Sequence, residues 1–367
     1  MLVGAILGVD VKAHAVGLPY PPPPTAAIGR LAEALADAGL TTEQLVGQKL
    51  MITMAGRKPS RSLLRRIGRG EVGGIVLLGR NISSPAAVKR LTRQLQRAAA
   101  EGGQPPLLIS IDQEGGSVKR VPWAPPTVTV PEMGRLGSMR LARAEGARTG
   151  AALRRLGINV DLAPVADIPR SSASFMLQQG RTFSSDVGQT SRLAGAFASG
   201  LLSRGVFATM KHFPGIGLAT LNTDRFVSSI DASRVALRQD LRPYRRAIAR
   251  DIPLIMLSNA TYTAYDRRNA AGWSSAIVED LLRGELGFRG VTITDSLNGT
   301  AHARGMTVKT LATRAARAGT DLILVTSSER SSDHLFRTLV RRAKLGTIPW
   351  TSLRASYERI VALKERL

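Results

Sequence analysis

The sequence predicts an α/β chain of the (β/α)8 TIM-like barrel class, built as a single domain, and three observations carry that prediction. Eight short, β-rich apolar runs alternate with longer segments of helical period. The runs are almost continuously apolar, as expected of parallel strands buried on both faces. Polar and titratable residues gather at their C-terminal ends, the edge where such barrels carry their chemistry. A doubly wound sheet is the alternative, but no G-x-G-x-x-G directly follows the first run.

In chain order the runs are "KLMITMAG" (49–56), "GGIVLLGR" (73–80), "PLLISID" (106–112) and "INVDLAP" (158–164). Then come "VFATMKH" (206–212), "PLIMLSN" (253–259), "GVTITD" (290–295) and "DLILVTS" (321–327). The spacing predicts helices over 84–101, 137–156, 188–204, 233–251, 274–286 and 307–318. Leu156-Gly157 and Leu286-Gly287 carry the helix C-cap signature. The barrel is expected to occupy 41–367. Residues 1–40 read as a separate N-terminal segment, with "LPYPPPPT" an extended, Pro-rich linker. The opening "MLVGAILGVDVKAHAVG" has a short apolar run and a small-residue Ala13-His14-Ala15, but no basic n-region. The compartment therefore stays open between the cytoplasm and export to the cell envelope.

Composition narrows the chemistry. The chain has 367 residues, 44% hydrophobic and 21% charged, which is globular rather than disordered. The lack of cysteine excludes disulfides, thiolate metal sites and a cysteine nucleophile. Lys and Arg number 51 against 27 Asp and Glu, a formal charge of +24. Such a field suits acidic partners, including anionic wall polymers. The basic residues are scattered through the helical segments, with neither zinc-finger spacing nor an aromatic-basic RNA signature. No specific nucleic-acid partner is expected. A basic nucleic-acid- or wall-associating protein on a borrowed barrel is a reading that rests on charge alone.

The strand ends carry Asn81, Asp112, Asp161, Lys211-His212, Asn259 and Asp295. A polar residue ending a strand often only caps the next helix, and for Asp161 and Asn259 that reading weighs equally. Convergence of Asp112, Lys211, His212 and Asp295 points instead to a polyhydroxylated substrate and to general acid/base or covalent chemistry.

The motifs "IDQEGGSVKRV" (111–121), "INVDLAPVADI" (158–168), "GRTFSSD" (180–186), "KHFPGIG" (211–217) and "LGFRGVTITDSL" (286–297) occur in one order. In that order and spacing the chain resembles the family-3 glycoside hydrolases, over roughly residues 41–330. It looks most like the single-domain β-N-acetylhexosaminidase branch associated with peptidoglycan turnover. The resemblance implies a (β/α)8-like barrel and retaining hydrolysis of a β-linked N-acetylhexosamine, N-acetylglucosamine foremost, in a wall-derived glycan. It implies Asp295 as the catalytic nucleophile. Asp112 matches the carboxylate that accepts hydrogen bonds from sugar hydroxyls, and Arg120, Arg181, Lys211 and His212 match donors that hold the sugar. Neither a metal nor an organic cofactor is implied, because retaining hydrolysis needs two side chains and water. The oligomeric state is left open.

One loop departs from the resemblance. The family's branch usually reads K-H-F-P-G-H-G-D-T and then D-S-H, whose last histidine is the general acid/base. Here the corresponding residues are Ile216, Leu218-Ala219 and Asn222-Thr223-Asp224. Two readings follow. In one, Asp224 is the acid/base, its pKa raised by the nearby Asp295 carboxylate. In the other, the barrel is degenerate and binds a glycan or acts as a scaffold with little or no turnover. The joint loss of polar groups at Ile216, Leu218 and Ala219 leans towards the second. His302, seven residues past Asp295, is a conceivable substitute acid, weighed against ordinary loop or helix-start polarity.

Overall fold

In a computed structural model, which describes residues 40–367, the eight apolar runs become eight parallel strands in sequential order. They are β1 Leu50–Ile52, β2 Gly74–Leu77, β3 Leu108–Ile111, β4 Val160–Asp161, β5 Phe207–Phe213, β6 Leu254–Leu257, β7 Val291–Thr294 and β8 Ile323–Val325. Pairing runs from β1 through β7 between neighbours, and β8 pairs with β1. A parallel bridge between Ile293 and Leu322 links β7 to β8 and closes the barrel. The N-terminal expectations, including the Pro-rich linker and the Ala13-His14-Ala15 motif, lie outside the described residues.

Alternation along the strands explains why both faces are apolar. Met51, Val76, Leu108, Val160, Phe207, Leu254 and Ile293 form one buried cluster, with Ile360 and Leu363 of the last helix, Trp350–Lys364. Their neighbours Ile52, Ile75, Leu77, Ile109 and Ile111 belong to the larger cluster that also includes residues of the surrounding helices. Strand residues one apart point to opposite faces, so a run buried on both sides must be apolar throughout.

Most predicted helices form: Pro85–Glu101, Met139–Arg155, Val187–Leu202 and Val308–Arg317. Gly157 and Gly287 adopt φ of 76° and 72°, the left-handed conformation required just past those helix ends. Three expectations change. Gly137, placed inside a helix from sequence, is left-handed (φ 61°), and Ser138 caps the helix that follows. The segment 233–251 splits into Arg234–Leu237 and Arg242–Ile248, because Pro243 has no N–H and its ring would clash with the preceding turn. The segment 274–286 winds as a π-helix over Ala276–Glu285, with the Leu286 N–H donating to Leu281 O. Among the described residues no helix is long and apolar enough to cross a membrane.

Candidate active site

Four of the polar strand-end residues, Asp112, Lys211, His212 and Asp295, border one pocket of about 230 Å³ at the C-terminal edge of the barrel, whereas Asn81, Asp161 and Asn259 do not line it. Asp112, Arg120, Arg181, Lys211, His212, Asp224 and Asp295 all line it. Sequence reasoning had scattered these seven over almost two hundred residues; the barrel brings them together because each stands on or just beyond a parallel strand, or on a loop that returns over one.

β5 supplies two of them. Lys211 is buried, with its Nζ 3.0 Å from Asp112 Oδ1 and 2.6 Å from Glu114 Oε1. Burial opposes its charge, but Glu114 and Asp112 outweigh that and raise its pKa. Glu114 stands on a short strand, Gln113–Gly115, paired antiparallel with Val118–Lys119. Arg181 clamps Glu114 with both arms, Nε to Oε2 at 2.8 Å and an Nη to Oε1 at 2.7 Å. Burial alone would raise the Glu114 pKa, yet Lys211 and Arg181 hold it at about 2. Glu114 was not singled out from sequence. Its signal was the acidic residue inside "IDQEGG", which periodicity does not separate from Asp112. Arg120 reaches Asp112 Oδ2 only at 3.9 Å and keeps part of its side chain exposed.

His212 Nδ1 donates to Asp167 Oδ2 at 2.7 Å, and its Nε2 lies 4.0 Å from Asp295 Oδ2. Asp167, fully buried, also accepts the Ile216 N–H at 2.8 Å and the His212 N–H at 3.3 Å. One carboxylate therefore orients the imidazole and folds the loop that follows. Gly217 then passes against Ile168: a Cβ there would sit 1.7 Å from the Ile168 carbonyl oxygen. Ile216 and Ala219 are buried, so these two replacements pack into the core while the loop keeps its turn. Asp167 was visible only as part of "VADI" and had no assigned role.

Asn222 caps the turn that carries Asp224: its Oδ1 accepts the Asp224 N–H at 2.8 Å, and its carbonyl accepts the Arg225 and Phe226 N–H groups at 3.0 and 2.9 Å. Asn259, just past β6, donates from Nδ2 to Asp224 Oδ1 at 3.0 Å and to the Ser296 carbonyl at 3.1 Å. Gly299, in the helix Leu297–Ala303 after Asp295, admits the Asp224 backbone, since a Cβ there would meet the Asp224 carbonyl oxygen at 2.2 Å. Burial first, and the Asp295 carboxylate second, push the Asp224 pKa up to about 7, while the Asn259 hydrogen bond pulls the other way. Asp295 accepts the Ser296 N–H at 2.7 Å.

Two candidate residues behave differently. Asp161 is fully buried, accepts the Gln113 N–H at 3.0 Å, and is pushed up to about 8 chiefly by burial. It does not line the pocket and serves the architecture of β4. His302 is exposed on Leu297–Ala303 and is likewise absent from the pocket wall. Among the described residues no group of three or more His, Asp or Glu side chains is arranged to hold a metal ion.

Residues 41–363 match the glycosyl hydrolase family 3 N-terminal domain. The chain is 34% identical over 301 residues to a β-hexosaminidase of Nitrosomonas eutropha, covering 79% of this chain and 84% of that protein. Among solved structures it is similar to a glycoside hydrolase family 3 β-N-acetylglucosaminidase from a Paenibacillus species (TM-score 0.83, 34% identity), covering 89% of this chain. It spans 63% of that enzyme, which is longer. It is similar as well to a β-N-acetylhexosaminidase from Beutenbergia cavernae (TM-score 0.82, 31% identity), covering 89% of this chain and 99% of that one.

Proposed function

The chain belongs to glycosyl hydrolase family 3 and is an O-glycosyl hydrolase of the β-N-acetylhexosaminidase type; from that premise we propose that it removes a terminal β-linked N-acetylhexosamine, N-acetylglucosamine foremost, with retention. The observation that carries this reading is a pair of carboxylates, Asp224 and Asp295, on one pocket wall, with Asp224 held protonated up to about pH 7. Retaining hydrolysis needs one carboxyl group as acid and one as nucleophile.

In the first step an Asp295 oxygen attacks the anomeric carbon. The bond from that carbon to the glycosidic oxygen breaks, and Asp224 gives its proton to the departing oxygen. In the second, the Asp224 carboxylate takes a proton from water, the water oxygen attacks the same carbon, and Asp295 is released. Asp112, Arg120, Arg181, Lys211 and His212 hold the sugar. Glu114 and Asp167 keep Lys211, Arg181 and His212 in place through the contacts given above. A wall-derived glycan is one source of such a terminus.

The test compares a natural β-linked disaccharide with an aryl β-N-acetylglucosaminide whose leaving group needs no proton. Asp295→Ala abolishes cleavage of both. In kcat/KM, which reports the first step, Asp224→Asn spares the aryl glycoside and slows the disaccharide by about 10²–10⁴-fold, the usual worth of general acid catalysis; the aryl kcat falls, because the variant lacks the base of the second step. Equal loss of kcat/KM on both substrates removes Asp224 as the acid. Wild type that cleaves the aryl glycoside but not the disaccharide establishes the degenerate reading, the one the lost loop polarity favours.

A further inference from the structure

A second cavity, of about 160 Å³, opens on the flank of the barrel between the helices Val187–Leu202 and Arg242–Ile248. It shares no lining residue with the active-site pocket. Leu202 and Ile252, which lead into β5 and β6, form part of its wall. Arg366, just past the last helix, also lines it and lies over the ring of Phe207, the first residue of β5, at 5.5 Å. The cavity therefore reaches the strand starts, at the edge of the barrel away from Asp224 and Asp295.

Its charge is one-sided. Arg192 enters from one helix, Arg246 and Arg250 from the other and the turn after it, and Asp251 is the one carboxylate of the lining. Among the described residues Arg192, Arg246 and Arg250 form no ion pair, whereas Arg245 beside them pairs with Glu285 at 2.6 Å. Burial first, then repulsion from Arg250 and Arg192, lowers the Arg246 pKa. A helix C-terminus favours basic residues, which accounts for Arg246 and Arg250 but not for Arg192 on the facing helix.

Gly195, in the middle of Val187–Leu202, is an independent observation. A glycine inside a helix weakens it relative to alanine, and close approach of a neighbour is the usual reason to keep one. Gly200 of the same helix has that reason, since a Cβ there would meet the Arg143 carbonyl oxygen at 2.2 Å. A Cβ at Gly195 would meet nothing within 4 Å. Gly195 lines the cavity with the small residues Ala196 and Ser199, so the missing side chain leaves open space that packing does not demand.

We propose that this cavity is a second binding site, for a small phosphate monoester: a dianion carried on an apolar group. Guanidinium forks match phosphate oxygens in geometry as well as charge. Several arginines against one carboxylate suit a dianion better than a single carboxylate ligand. Met139, Leu202, Ala247 and Ile252 supply an apolar wall for the rest of the molecule. The site is independent of the roles given to Asp224 and Asp295.

The experiment is titration calorimetry of the full chain with phenyl phosphate, inorganic phosphate and, as a neutral control, benzyl alcohol. Phenyl phosphate should bind one to one, and about three- to tenfold more tightly than inorganic phosphate, the worth of covering about half a ring. Benzyl alcohol should not bind. Arg246→Gln should weaken phenyl phosphate by about ten- to a hundredfold, the worth of a hydrogen bond to a charged group. Gly195→Leu, which fills the open space, should abolish binding. Without ligand both variants should melt no lower than wild type, because one removes repulsion and the other a helical glycine, and both should cleave the aryl glycoside as wild type does. No saturable binding of phenyl phosphate, or binding that both variants leave unchanged, overturns the proposal. Equal affinity for phenyl and inorganic phosphate overturns its apolar half. Vesicles of phosphatidic acid carry the same group on a lipid. If they sediment the protein while phenyl phosphate does not bind, the arginines belong to a membrane surface and the small-ligand site is refuted.

Discussion

Replacing Asn259 with leucine should move the alkaline limb of the pH profile upward. Asn259 Nδ2 donates to Asp224 Oδ1 at 3.0 Å and so favours the carboxylate over the acid. Leucine keeps the volume and removes the donor. A hydrogen bond to a charged group contributes about 1.5–3 kcal/mol, and one pH unit corresponds to about 1.4 kcal/mol. Loss of the bond should therefore raise the pKa from about 7 to about 8–9, at the lower end because Asp224 keeps some exposure. The sign is fixed by the role. As general acid Asp224 must be protonated, so activity falls as pH rises through its pKa, and a higher pKa extends activity to higher pH. The assay is kcat/KM for the disaccharide against pH, which reports groups of the free enzyme. Because Asp295 is the second contributor to the shift, the limb belongs to the pair. Asp224→Asn should remove it altogether. A limb that stays put in Asn259→Leu, or moves to lower pH, refutes Asp224 as its source.

Glu114→Gln should destabilise the fold by about 3–5 kcal/mol at pH 7, because it strips a buried carboxylate from between Lys211 and Arg181. The folded pKa of Glu114 is depressed, so its stabilisation is present above its ordinary value and fades as pH falls towards 2. Urea titrations of wild type and variant should accordingly converge at low pH, and a constant difference would refute the charge argument. Lys364→Met addresses the far end of the barrel. Lys364 is buried, donates to Gln48 Oε1 at 2.6 Å, and burial lowers its pKa to about 7. Wild type must bury an ammonium below that pH and regains the lost stability as pH rises towards the ordinary lysine value. The variant should melt higher than wild type at pH 6, with an advantage that shrinks by pH 10; an advantage independent of pH would assign it to packing alone.

Strand identity and order were legible in the sequence because a parallel barrel strand, buried on both faces, is an unbroken apolar run whatever surrounds it. Glycines 157 and 287 announced helix ends for an equally local reason, since a left-handed residue has few alternatives. The break near Pro243 was local too, and the uniform Ala/Leu/Arg texture around it hid it. Asp112, Lys211, His212 and Asp295 could be picked out as strand-end groups, and motif order tied Arg120, Arg181 and Asp224 to them.

What only the tertiary structure decided is how those groups act on one another. Glu114 and Asp167 look like any acidic residues in their segments; they matter because strands far apart in sequence bring Lys211, Arg181 and His212 against them. The resemblance puts Asp224 where the histidine stands and leads to a pKa raised by Asp295, but the order of residues does not show that burial is the larger cause. The raised pKa comes from burial and from Asp295 in the same pocket, against the Asn259 hydrogen bond, which pulls the other way. The sequence by itself determined the barrel and its family, because apolar alternation and motif order are properties of the chain. The protonation of the site was decided by packing, because a pKa is set by the charges and solvent around a group, and those neighbours come from across the barrel.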